Sequence, residues 1–304
     1  MLISKPLLKQ SIKANSSLWG FVTLGLCIII AVLNLLIGGK DLSSGNVNMS
    51  EIGKYIMALK WGGEQRYDEA LTLSGLFAAM GFGSDLLQLL QSMNINFFVQ
   101  EMYYALAGIM LPMIFVIVTA NKLIASQIDN GSMAYVLSTP TKRITVAFTQ
   151  LFYLIGALFS MYFIVTFVDT MTRLISAGTV DLANVILLNL GSFIVMIAIA
   201  GICFMASCLF NLSKHSLALG GGITVFFFIC KILALFGTDS FVSVGMGVEE
   251  MQIFNYLTII SLYDTAAIAD LNPIFIYKLF ILIAIGIITT IVGIYYFNKK
   301  DLPL

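Results

Sequence analysis

Few side chains in this 304-residue sequence have the type and setting to do chemistry. Lys231 and Lys278 lie within or beside long apolar runs, where a cation must snorkel to the interface, find a partner or face an aqueous path. Snorkelling accounts for both. The functional alternative is that the two line an outward cavity and meet an anionic group on a substrate, which makes them a candidate substrate path. The single histidine, His215, falls in a short polar turn and reads as solvated or headgroup-facing. Cys27, Cys203, Cys208 and Cys230 all fall in apolar runs, so they read as small buried apolar residues, without a disulfide framework or metal-ligand spacing. There is no G-x-x-x-x-G-K-[ST] loop, no H-E-x-x-H pair and no serine-nucleophile elbow. No catalytic constellation, metal or bound cofactor is therefore expected on this chain. Proton-coupled pumps usually carry acidic or histidine relays in the bilayer, and the span interiors are expected to hold no acid.

The other polar stretch of interest runs from Asn121 to Arg143, between two apolar runs. Its pattern predicts a short helix: Ser132 can cap it, while Met133, Val136 and Leu137 recur at helical spacing with Tyr135 between them. Pro140 restricts Thr139 and discourages continuation, and Lys142 and Arg143 follow. A short helix on a loop at a membrane face invites a partner. The plainer reading is a connector whose cations obey topology.

Composition supplies the frame for both sites. Hydrophobic residues make up 59% of the chain and charged residues 11%, and the mean hydropathy is +0.97. These values describe an all-α polytopic membrane protein. Formal net charge is zero, so no basic excess points to nucleic acid. Apolar runs long enough to cross about 30 Å of hydrocarbon occur near residues 18–37, 102–120, 147–168, 184–210, 217–236 and 274–297. Before the first, Lys5, Lys9 and Lys13 at spacings of four predict an interfacial helix over residues 1–17. The first run is too long for a signal-peptide core and no cleavage site follows it.

Residues 38–100 are too charged for lipid and read as an outer loop with surface or re-entrant structure. Pro112 should kink the second span. Asp169, Arg173 and Asp181 are expected in a short polar loop after the third. The fourth and fifth spans should be antiparallel neighbours across Asn211 to His215. Gly220, Gly221 and Gly222 give the fifth a small-residue face for close packing. Residues 237–273 read as an outer re-entrant or interfacial segment. With both termini inside, Lys5, Lys9, Lys13, Lys122, Lys142, Arg143, Lys214, Lys299 and Lys300 crowd the cytoplasmic span ends, as the positive-inside rule expects. A seventh span over Leu71 to Leu90 would send much of that cluster outside, and is rejected.

The 121–146 loop resembles the cytoplasmic loop of bacterial type-2 ATP-binding-cassette exporter permeases, which carry an acid, Gly and Ser or Thr, then a leucine, a small residue, Pro and a Lys or Arg. The matching residues are Asp129, Gly131, Ser132, Leu137, Ser138, Thr139, Pro140, Thr141, Lys142 and Arg143. Asp129 stands where many members have Glu. The basic amphipathic start, six spans, Ser261 to Thr265 and the KKDLPL ending add to the likeness. It implies a coupling helix that docks into a separate ATPase subunit, with Asp129 at its positive end and Lys142 and Arg143 at headgroups or the ATPase rim. It also implies ATP and Mg²⁺ on a pair of partner subunits, a second permease chain, most simply a homodimer, and the bacterial cytoplasmic membrane. Among such proteins the likeness runs to exporters of cytolytic peptides such as phenol-soluble modulins; antimicrobial peptides, drugs and lipids are other cargoes of the architecture. The contrasting class is an ATPase-independent channel or membrane scaffold.

Overall fold

The computed structural model describes residues 3–37, 100–139, 141–177, 180–238, 242 and 247–301. Most of the expected outer loop, the rejected seventh span, Pro140 and the last three residues lie outside them. The described residues form α-, π- and 3₁₀-helices and no strands. Six helices are long and apolar enough to cross a membrane: Lys5–Leu35, Tyr103–Asp129, Arg143–Ser176, Leu182–Leu209, Ser213–Leu235 and Ile274–Lys299. They are called here the first to sixth helices.

The first helix corrects the expected division at residue 17. Lys5–Ile37 is one unbroken helix of 33 residues, about 50 Å at the rise of an α-helix and longer than a hydrocarbon layer. Its early turns continue because the third helix supports them. The Ser11 hydroxyl donates to Gln150 Oε1 at 2.7 Å, and Trp19 Nε1 donates to the Ala157 carbonyl at 2.9 Å. Leu7, Ser11 and Asn15 are buried on that face, while Lys5, Lys9 and Lys13 point outward.

The second helix enters through a π-turn, Gln100–Ala107, and contains Pro112. Proline has no N–H to give the carbonyl four residues back. That carbonyl, on Gly108, instead accepts from the Tyr162 hydroxyl of the third helix at 2.8 Å, as a buried backbone acceptor in lipid requires.

The fourth helix is the centre of the bundle, with 72% of its most apolar window buried. Its main partner is the sixth. Glycines set that approach: a Cβ at Gly201 would strike Thr289 and lie 2.8 Å from the Gly286 carbonyl, and one at Gly293 would lie 2.9 Å from Met205 Cα. Small residues let two backbones meet where lipid supplies no hydrophobic drive.

The fifth helix meets the fourth only near their connection. Gly220 rests against Ala206 and Cys203 and Gly221 against Ile117, whereas a side chain at Gly222 would meet nothing within 4 Å. Beyond that point the fifth helix leans on a 3₁₀ segment, Glu249–Leu257. That segment, Ile259–Leu262 and the short helix Thr265–Ala269 lie between the fifth and sixth helices, over the residues read as an outer re-entrant or interfacial segment.

Candidate functional site

Two polar assemblies and a charged cavity stand out among the described residues of this apolar bundle. The first assembly surrounds the 121–143 loop. After Ile124 breaks the second helix at φ −132°, Ala125–Asp129 continues it for five residues. Gly131, at φ 75°, ends that piece and starts the next helix, Ser132–Leu137; glycine alone adopts this left-handed conformation without a Cβ penalty. Ser132 is therefore the first helical residue and not the cap. Asn130 Oδ1 takes the Ser132 amide at 3.0 Å and its hydroxyl at 2.7 Å. Met133 is completely buried, Val136 and Leu137 pack half-buried against the core, and Tyr135 is 81% exposed. The Val136 carbonyl accepts from the Thr139 and Thr141 hydroxyls at 2.6 and 2.9 Å, which closes the helix end.

Asp129 does not sit at the start of the Ser132–Leu137 helix, as expected, but at the end of the piece before it. Its carboxylate accepts from the Ser213 amide at 3.1 Å, at the positive end of the fifth helix. Asn121 Nδ2 reaches the Ser213 hydroxyl at 2.6 Å. On the other side Arg143 is half-buried and donates to the Lys300 carbonyl at 2.7 Å, while Lys300 Nζ donates to the Phe210 carbonyl at 3.1 Å. Arg143 thus ties the loop to the chain's own end segment through one of its nitrogens, and Lys142 is exposed. The loop, the 210–213 turn, the N-terminal turn through the Ser4 amide on Thr149, and the segment around Lys300 all lie at one end of the bundle.

The second assembly lies at the far end and was not anticipated. Asp169, expected in a loop, is inside the third helix, which runs on to Ala177, and is completely buried. Its Oδ1 accepts from Arg173 Nε and Asn34 Nδ2, each at 2.8 Å. Its Oδ2 accepts from the Tyr104 hydroxyl and, at 3.2 Å, from Asn189 Nδ2. Arg173 also donates to the Tyr104 oxygen at 3.1 Å, and Asn34 to the Thr172 hydroxyl at 2.9 Å. Residues from the first four helices therefore meet on one carboxylate. The expected loop fails here because hydropathy counts a charge but not its partners; four donors, one of them the cation Arg173, make the burial of Asp169 tolerable. A signal was present in the i,i+4 spacing of Asp169 and Arg173 with no helix breaker nearby, and in Asn34 and Asn189 within apolar runs.

Lys231 and Lys278 share a cavity of about 660 Å³, with Asp264 in its wall. Lys278 Nζ lies 2.8 Å from Asp264 Oδ2, and Asp264 Oδ1 caps the Thr265–Ala269 helix by accepting from the Ala267 amide at 3.0 Å. Burial alone would raise the Asp264 carboxyl, but these two hydrogen bonds and the charges of Lys278 and Lys231 outweigh it and hold the group below its ordinary value. Beside it Tyr263 is buried and its hydroxyl donates to the Leu188 carbonyl at 2.9 Å. The four cysteines are free, and no metal-ligating cluster occurs among the described residues.

No family model, curated protein or solved structure matches this chain. The fold itself defines the class: an all-α, multi-pass membrane protein with six long apolar helices among the described residues and a small helix presented at one end.

Proposed function

We propose that the chain is the membrane subunit of an ATP-driven exporter in a bacterial cytoplasmic membrane, with both termini cytoplasmic. It pairs with a second copy of itself and with two separate ATPase subunits that carry ATP and Mg²⁺. One observation carries this reading: the Ser132–Leu137 helix turns Tyr135 outward while Met133 anchors it inward and its flanks are tied to two other helices. A partner pressing on Tyr135 pushes through Asp129 on the start of the fifth helix and through Arg143 on the end of the sixth. Nucleotide binding then favours one arrangement of the bundle by the difference in contacts that the partner makes with each.

The cargo in this reading is amphipathic or hydrophobic, such as a cytolytic or antimicrobial peptide, a drug or a lipid. An apolar cleft of about 370 Å³ between the first and third helices, lined by residues including Leu8, Ile12, Trp19, Phe152 and Gly156, supports that class. Its lining comes from the loop-end halves of both helices, the level at which such cargo would leave the inner leaflet.

Co-expression with a soluble subunit bearing a phosphate loop tests the assignment. Tyr135→Ala removes an exposed ring on which no packing depends, and should weaken co-purification and stimulated ATPase activity on the order of tenfold or more, as for an aromatic interface anchor. Gly131→Pro should do the same by misdirecting the helix. If both variants stay fully coupled, the docking role is lost. If no ATPase co-purifies with the wild-type chain, a channel or scaffold is the better reading.

A further inference from the structure

The described lining residues of the far-end cavity are unbalanced in charge. Of its described lining residues, Lys231 and Lys278 are cations and Asp264 is the one carboxylate. Asp264 is already engaged through both oxygens, by Lys278 and by the Ala267 amide. Lys231 forms no ion pair among the described residues. Among the cavity's described lining residues there is therefore one surplus positive charge, beside the polar groups of Asn255 and Thr258.

Its depth and rim indicate the kind of anion. Lys231 comes about one turn before the end of the fifth helix and Lys278 about one turn after the start of the sixth, so both stand near the level where spans leave the hydrocarbon. Tyr256, which lines the cavity, is 90% exposed, and Leu257 beside it is also exposed. Tyr277, next to Lys278, is exposed as well. Tyrosine and apolar surface around a cation is the pattern of a membrane interface. A site for a freely soluble anion gains nothing from an apolar aromatic rim; a lipid uses the cation for its headgroup and the rim for its glycerol and first methylenes.

We propose that this cavity holds the phosphate group of an anionic phospholipid, with Lys231 as the principal contact and the Lys278–Asp264 pair as its floor. The proposal does not depend on the exporter reading, since lipid binding needs no ATPase and no cargo.

The purified full chain in neutral detergent is titrated with dioctanoyl phosphatidylglycerol, dioctanoyl phosphatidylcholine and inorganic phosphate, and bound ligand is read by native mass spectrometry and calorimetry. Phosphatidylglycerol should bind more tightly than either alternative. Lys231→Met should weaken it about fivefold, the effect of one lysine at an anionic membrane surface, and Lys231→Arg should restore it. Lys231 supports no hydrogen bond of the fold among the described residues, so the methionine variant should keep the wild-type melting behaviour. Equal binding of the two lipids, or an unchanged affinity in Lys231→Met, overturns the proposal. Inorganic phosphate binding as tightly as the lipid overturns the lipid assignment. An amphipathic peptide that binds through Lys231 and is not displaced by phosphatidylglycerol overturns it in favour of a peptide carboxylate.

Discussion

Asp169 and Asp129 are the same residue type at opposite ends of one bundle, and the protein uses them in opposite ways. Asp169 is completely buried and gathers donors from the first four helices, with Arg173 balancing its charge. Asp129 is exposed and holds one backbone amide across a turn. A buried charge is costly unless every partner stays in place, so the far end behaves as a single unit. A single part-buried or exposed hydrogen bond is individually weak, so the loop end is held by several separate ties through Asn121, Asp129, Arg143 and Lys300. A bundle clasped at one end and tied by replaceable contacts at the other can open and close at the tied end without losing its fold. That end is also where Tyr135 stands exposed.

The contrast can be broken most sharply at Asp169. Asp169→Ala leaves Arg173, Tyr104, Asn34 and Asn189 without their shared acceptor, and should destabilise the chain by about 3–5 kcal/mol in detergent unfolding. Asp169→Asn, which keeps an acceptor oxygen, should cost less. An alanine variant as stable as wild type would mean that the far end is not clasped by this residue. Asp129→Ala should cost only about 1 kcal/mol in the same unfolding measurement, as for loss of a helix-terminal acceptor. In the proposed exporter reading its larger effect should fall on ATPase coupling, and an equal loss of stability at Asp129 and Asp169 would erase the distinction between the two ends.

The smallest effect concerns pH. Burial, with the nearby Arg143 charge adding to it, pushes Lys300 down to about 8 from its ordinary 10.5. Between those values the unfolded chain binds more protons than the folded one, so this lysine makes stability rise with pH from about 8 toward 10.5. Below about 8 its penalty is fully present. Unfolding midpoints measured across that range should climb for wild type, and Lys300→Met should flatten the climb attributable to this group. An identical slope in the variant would place Lys300 in solvent.

The candidate site was only partly legible. Met133, Val136 and Leu137 showed a helix through their spacing and were read, with Tyr135, as coupling residues; the structure buries Met133 in the chain's own core and packs Val136 and Leu137 against it, which leaves Tyr135 as the exposed one. Asp129 carried no sign of its contact with Ser213, because the two are 84 residues apart and meet only when the second and fifth helices are side by side. Arg143 read as a cation for headgroups or a partner, and its added contact with the Lys300 carbonyl, 157 residues away, was not visible in the sequence. Lys231 and Lys278 were singled out as charges in apolar settings, but that Asp264 takes one and leaves the other follows from how the 249–269 segment returns between them.

Six helices, their order and their approximate limits could be read from the chain, since the thickness of a hydrocarbon layer imposes a length on every apolar run and that length is a local property. The assembly of those helices could not. Whether the first helix stops at residue 17 or continues depends on Gln150 and Ala157 of the third. Whether Asp169 ends a span or lies buried within it depends on Tyr104, Asn34 and Asn189. Hydropathy assigns each residue its cost of leaving water, but the partners that repay this cost come from other helices, and only the packed bundle brings them within hydrogen-bonding distance.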